Sequence, residues 1–275
     1  MKIKLASTFL LAALLFPVVA RAGDAMAEST AAGLLAYSFP LSPIEKGKLD
    51  VQAAPAYFTT KFSDVNGNIA RNGNAKGFGG AAGVTYGLTP HFGLGVSAIY
   101  FKSTQGTFTE GSLSGPMSEN GFIGAATAIY DPMSGDNFRL PLLVGVNYQN
   151  LATNFTPIAT QKTLMGPGVE FGISAQFNTG KYFRWEPFLL IAHPLTNQKC
   201  SQGNVNQGQN TTTTHCGNET PDTGANPGVN VVFRPWNLAF FYAPSIGDRS
   251  GTSIYALRLH KTFGGHAEAG AGVTK

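Results

Sequence analysis

The residues equipped for chemistry in this 275-residue chain are few, and they fall in a regular pattern. Asp50, Gln52, Arg139, Glu170, Arg184, Glu186, Arg258 and His260 each stand in a run where apolar and polar positions alternate. In "GVEFGISAQF", Val169, Phe171, Ile173 and Ala175 oppose Glu170, Gly172, Ser174 and Gln176. In "FRWEPFLLIA", Phe183 and Trp185 oppose Arg184 and Glu186. A set of inward charges can act as a constriction that selects solutes. The same set can instead neutralise itself, because buried charges are costly unless paired. The mixed signs favour the second chemistry. Facing registers in the 164–193 hairpin predict Gln176 beside Arg184 and Ser174 beside Glu186. Asp50 and His260 lie near opposite ends of the chain and could meet where its first and last strands join.

Two further sets of residues have types suited to reactive chemistry. Cys200 and Cys216 are the only cysteines, and the segment between them, "SQGNVNQGQNTTTTH", has little to bury. In an exported chain a disulfide is the expected pairing. A metal pair with His215 would need more ligands than the segment offers. His193 and His215, with Asp64 and Asp248 as carboxylates, are the rim residues a hydrolytic site would use. They form no compact His–Ser or His–Asp motif, so no catalytic residue is assigned. No cofactor or metal site is expected.

The elements that must position these residues read as strands. Residues 1–22 form a secretory signal peptide: a basic start at Lys2 and Lys4, the apolar run "LASTFLLAALLFPVVA", and small residues at "ARA". Its loss removes Lys2, Lys4 and Arg21, which brings the 19 Lys and Arg close to the 15 Asp and Glu. No basic cluster remains to bind nucleic acid. Charged residues are only 12% of the chain, against about 25% in an average globular domain. A soluble surface needs charge, so something other than water is expected to cover this one. No mature segment approaches the roughly 20 apolar residues of a spanning helix.

About ten runs have strand character: 49–60, 77–88, 91–102, 120–130, 137–148, 164–177, 182–193, 228–234, 236–244 and 252–263. In "TYGLTPHFGLGVSAIYF" the large residues Tyr86, Leu88, Phe92, Leu94, Val96 and Tyr100 share one face, and glycines fill much of the other. Short turns at 89–90, 131–136, 178–181 and near Pro235 take turns with long polar connections at 61–76, 103–119, 149–163 and 194–227. Aromatics gather near strand ends, as at a membrane interface. This predicts an all-β fold, a single up-and-down antiparallel transmembrane β-barrel over 49–263 with short periplasmic turns and long extracellular loops. Residues 23–48 are expected to form a periplasmic tether or plug, and 264–275 a tail.

The last strand carries the most specific likeness. "SIYALRLHKTF" places Tyr255, Leu257, Leu259 and Phe263 at one parity and closes on an aromatic. It resembles the C-terminal insertion signal of bacterial outer-membrane β-barrel proteins, although Lys261 interrupts it and a tail follows. The resemblance implies location in the bacterial outer membrane. It also implies outer-membrane lipid as a partner, and the barrel-assembly machinery as another, acting through 255–263. Within that class a non-catalytic role is expected, either a narrow passive channel for small solutes or an envelope structural protein. The competing expectation is a barrel that binds surface ligands through its extracellular loops. An outer-membrane lipid-modifying enzyme or an omptin-type protease is the remote one.

Overall fold

A computed structural model describes residues 39–264, apart from 67, 134, 136, 157–159, 196, 207–208, 220–222 and 245–249. The expected signal peptide and nearly all of the expected tail lie outside the described residues. Among the described residues fourteen strands are present: β1 Lys48–Asn66, β2 Ile69–Gly87, β3 Phe92–Glu110, β4 Leu113–Tyr130, β5 Phe138–Arg139, β6 Leu142–Phe155 and β7 Thr160–Ser174. They continue with β8 Gln176–Thr179, β9 Phe183–Pro194, β10 Asn197–Asn206, β11 Gln209–Glu219, β12 Gly224–Phe233, β13 Leu238–Ala243 and β14 Ser250–Gly264.

These strands form one antiparallel sheet that closes on itself. The ring runs β1, β2, β3, β4, β6, β7, β9, β12, β13, β14 and back to β1. β5 and β8 are lower pieces of the runs that continue as β6 and β7. The first break falls at Pro141, which has no N–H to give the ladder. The second falls at Ala175, whose N–H turns to the Pro187 carbonyl at 2.9 Å. Closure leaves no bare edge in the ring, so its backbone groups need no water.

At one rim the connections are tight. The Thr89 hydroxyl accepts hydrogen bonds from the Phe92 and His91 amides at 2.9 and 3.2 Å. A 3-10 turn at Arg234–Trp236 ends on Asn237 in the left-handed region, φ 52°. The other rim differs from expectation. Stretches 61–76, 103–119 and 149–163 are mostly strand rather than loop, because β1–β4, β6 and β7 run on past the apolar band. Much of 194–227 is the β10–β11 hairpin, and β10 pairs with the upper part of β7. Once a wall leaves hydrocarbon both its faces are wet, and the alternation that marks a strand fades while the ladder persists.

Inside and outside follow parity. Tyr86, Leu94, Val96, Tyr100, Phe122, Val144, Val146, Phe171, Leu257 and Leu259 are exposed on the outer surface. Ile99, Phe101, Ile123, Leu143, Phe188, Leu190 and Phe241 are buried inside. Phe92 to Tyr100 spans about 20 Å of membrane normal for a strand tilted roughly 40°. That leaves an apolar belt with aromatics at both margins. Apolar exposure of this extent, continuous around a closed wall, has lipid as its counterpart.

Candidate functional site

The enclosed space is the candidate site, and it is filled. Residues 39–44, ahead of β1, enter from the tight-turn rim and place Phe39, Leu41, Ser42 and Ile44 among the buried residues. Two glycines make room. A Cβ on Gly172 would lie 2.5 Å from the Phe39 ring, and one on Gly87 would lie 2.0 Å from the Glu45 carbonyl oxygen. The Gly47 amide then donates to the Gly87 carbonyl at 2.8 Å, tying the segment's exit to the wall.

The segment is held chiefly through its main chain. Arg258, with no solvent exposure, donates to the Phe39 carbonyl at 2.7 Å, to the Asn230 side-chain oxygen at 3.1 Å, and to the Gln52 side-chain oxygen. The Gln176 amide donates to the Pro40 carbonyl at 3.3 Å. Arg184 donates to the Leu41 carbonyl and, at 2.7 Å, to Glu186. The Ser42 amide donates to Asp50 at 3.1 Å, and its hydroxyl lies 3.1 Å from His260 Nδ1 and 2.8 Å from the Thr262 hydroxyl. Three consecutive carbonyls thus meet donors from β1, β8, β9 and β14.

Each candidate from the sequence has a place. Asp50, Arg139, Glu170, Arg184, Glu186 and Arg258 are buried on the enclosed side. Asp50 and His260 come within 3.5 Å, offset by two positions, since Asp50 faces Thr262 and His260 faces Gln52. Arg139 pairs with Asp131 at 2.5 Å and donates to Gln176 at 3.2 Å. Glu170 is 2% exposed, next to Asn147 on the enclosed side. The expected hairpin register is corrected by two residues: Asn178 faces Arg184, and Ser174 faces Phe188. The turn at 179–182 is shorter than a parity match alone could tell, and a shift of two keeps every side chain on its face.

Sequence reasoning missed Asp131, which had been assigned to a turn and is wholly buried, and Asn230. It also missed the carbonyls of 39–41. A main-chain acceptor has no residue signature, so the tether or plug expected over 23–48 carried no contact prediction. Above the clamp lies an apolar layer, with Phe39 6.0 Å from Phe188 and Phe58 5.4 Å from Phe101 between ring centres. Toward the far rim a polar layer holds Thr60, Ser103, Glu119, Gln149 and Thr252.

Of the four rim residues considered for hydrolysis, only the side chain of His193 is described. His193 meets the Thr223 hydroxyl at 3.0 Å, and His91 meets the Asp131 carbonyl oxygen at 3.0 Å. The side chains of His215, Asp64 and Asp248 lie outside the described residues. Among the described residues no three His, Cys, Asp or Glu side chains converge to hold a metal. The register sets Cys200 opposite Cys216 across β10 and β11.

Comparison with solved structures places the architecture. The translocator domain of the autotransporter NalP from Neisseria meningitidis aligns over 88% of this chain and all of its own, with a TM-score of 0.53 and 14% identity. The outer-membrane protease OmpT from Escherichia coli aligns over 82% of this chain and all of its own, with a TM-score of 0.50 and 9% identity. The fold defined by this ring, its apolar belt and these likenesses is that of the bacterial outer-membrane β-barrels. Within that class the likeness is one of fold. No family model matches the sequence, and no curated protein matches it.

Proposed function

We propose that this protein is a non-catalytic, non-conducting envelope barrel that anchors and displays its extended outer wall at the cell surface. The observation that carries this reading is the lumen occupied by residues 39–44, with Arg258 and Arg184 bound to their carbonyls. Above that clamp Phe58, Phe101, Ile123 and Phe188 fill the cross-section. A passive channel needs a continuous wet path. Here a conducting path would require withdrawing carbonyl acceptors from the buried guanidinium groups of Arg258 and Arg184. The inward charges therefore serve as a self-compensating interior rather than a solute filter.

The wall above the belt supports the display role. β1, β2 and β3 each span 19 residues, well beyond the 9–11 that cross a bilayer. Planar-bilayer recording of the purified barrel tests the reading. Insertion without unitary conductance steps is the expected result. Stable, reproducible steps from the intact protein would overturn it and restore the passive channel.

A further inference from the structure

We propose that the outer surface of β1–β3 binds a phosphorylated lipid headgroup of the outer leaflet, through Lys61, Lys76 and Lys102. All three point outward and are exposed. Lys76 faces Thr59 across the β1–β2 ladder, while Lys61 faces Asn74, so the two lysines are diagonal neighbours. Lys102 faces Phe78, the next outward position from Lys76, and continues the diagonal. Diagonal positions on one face of a sheet lie about 7–8 Å apart. Three ammonium groups on flexible arms of that spacing can converge on one phosphate.

Their height makes the partner a lipid. Immediately below them on the same outer face are Tyr57, Phe78 and Tyr100. Tyr57 packs on Phe78 at 5.4 Å and lies 6.4 Å from Tyr255, which stacks on Tyr242 at 5.0 Å. That belt marks the boundary between acyl chains and headgroups on the extended-wall side. Going outward at the same parity, Lys76 follows Phe78 and Lys102 follows Tyr100 directly, and Lys61 follows Tyr57 after Thr59. The lysines therefore occupy the headgroup layer, their stems against the belt and their charges at phosphate depth.

Charge balance gives the sign of the partner. Among the described residues none of the three has an ion-pair partner; the exposed carboxylate of Glu45 is bound to Lys48, and Glu110 to Arg71. At the opposite belt Lys261 instead lies over the Phe263 ring at 5.2 Å. Among the described residues these three cations on one face of the wall have no acidic partner and are open to an anion from outside the chain.

The test is native mass spectrometry of the full-length processed barrel in non-ionic detergent. The probes are bis-phosphorylated lipid A, the same lipid with its phosphates removed, and inorganic phosphate. Retention of the phosphorylated lipid alone, weakened by added salt, is expected. A basic residue near an anionic headgroup layer contributes roughly fivefold in affinity. Lys76→Gln should therefore weaken retention about fivefold, and the triple Lys→Gln variant about a hundredfold. Lys76→Arg should retain it, and heat-dependent gel mobility identifies the variants that are folded. Equal retention of the dephosphorylated lipid, or unchanged retention in Lys76→Gln, overturns the proposal. Equal binding of inorganic phosphate would show a free-anion site and would overturn it too.

Discussion

Arg258 is wholly enclosed and donates to the carbonyl and amide oxygens of Phe39, Asn230 and Gln52. Removing it strands those acceptors without water. Arg258→Ala should cost about 3–5 kcal/mol, the range for breaking a buried charged cluster. The urea midpoint of the refolded barrel in detergent measures it. A loss below about 1 kcal/mol would mean that water replaces the side chain. The parity of Arg258 was readable from "YALRLH", since Leu257 and Leu259 flank it. Its partners were not readable, because two of the three come from segments more than 200 positions away in sequence.

Gly172 offers a second test at the same scale. Its missing side chain is where the Phe39 ring sits, beside Leu190. Gly172→Val should expel that ring, loosen residues 39–44, and make this segment sensitive to added protease in detergent where the parent is resistant. Equal resistance in both would show that the wall yields instead.

Among the elements, the β10–β11 hairpin joins a local prediction to a tertiary fact. Cys200 and Cys216 face each other in its ladder, and cross-strand neighbours are close enough to bridge with small adjustment. We expect a disulfide there that closes a loop of 15 intervening residues. Such a bridge contributes about 3 kcal/mol in the chain-entropy model. Limited proteolysis should cut between them faster after reduction, with the barrel itself unaffected. Identical cutting with and without reductant would mean that the ladder alone holds the hairpin. Strands inside the belt were legible as elements because lipid enforces strict alternation on them. The upper parts of β1–β4, β6 and β7 were not, since polar side chains on both faces look like loop.

For the whole molecule, the governing fact is that a continuous band of large apolar residues faces outward. Trp236 is 72% exposed at the tight-turn rim. Its fluorescence should be quenched more by lipids brominated near the headgroup than by lipids brominated near the bilayer centre, as for a ring at the interface. Trp185 is also outward and 40% exposed, so a Trp185→Phe background isolates the signal. Stronger quenching from the bilayer centre would place this rim inside hydrocarbon and displace the belt assigned here.

The sequence alone determined that the chain forms strands, which parity faces lipid, and which charges share the enclosed side. These are consequences of a period of two residues and of low charge content, both local properties. Tertiary structure decided that the hairpin register lies two residues from the parity guess, that the wall runs on above the belt, and that residues 39–44 occupy the interior. Those outcomes depend on ring size, on the space a glycine leaves and on main-chain carbonyls finding distant guanidinium groups. Such contacts exist only once the ring has closed, because the groups that make them lie far apart along the chain.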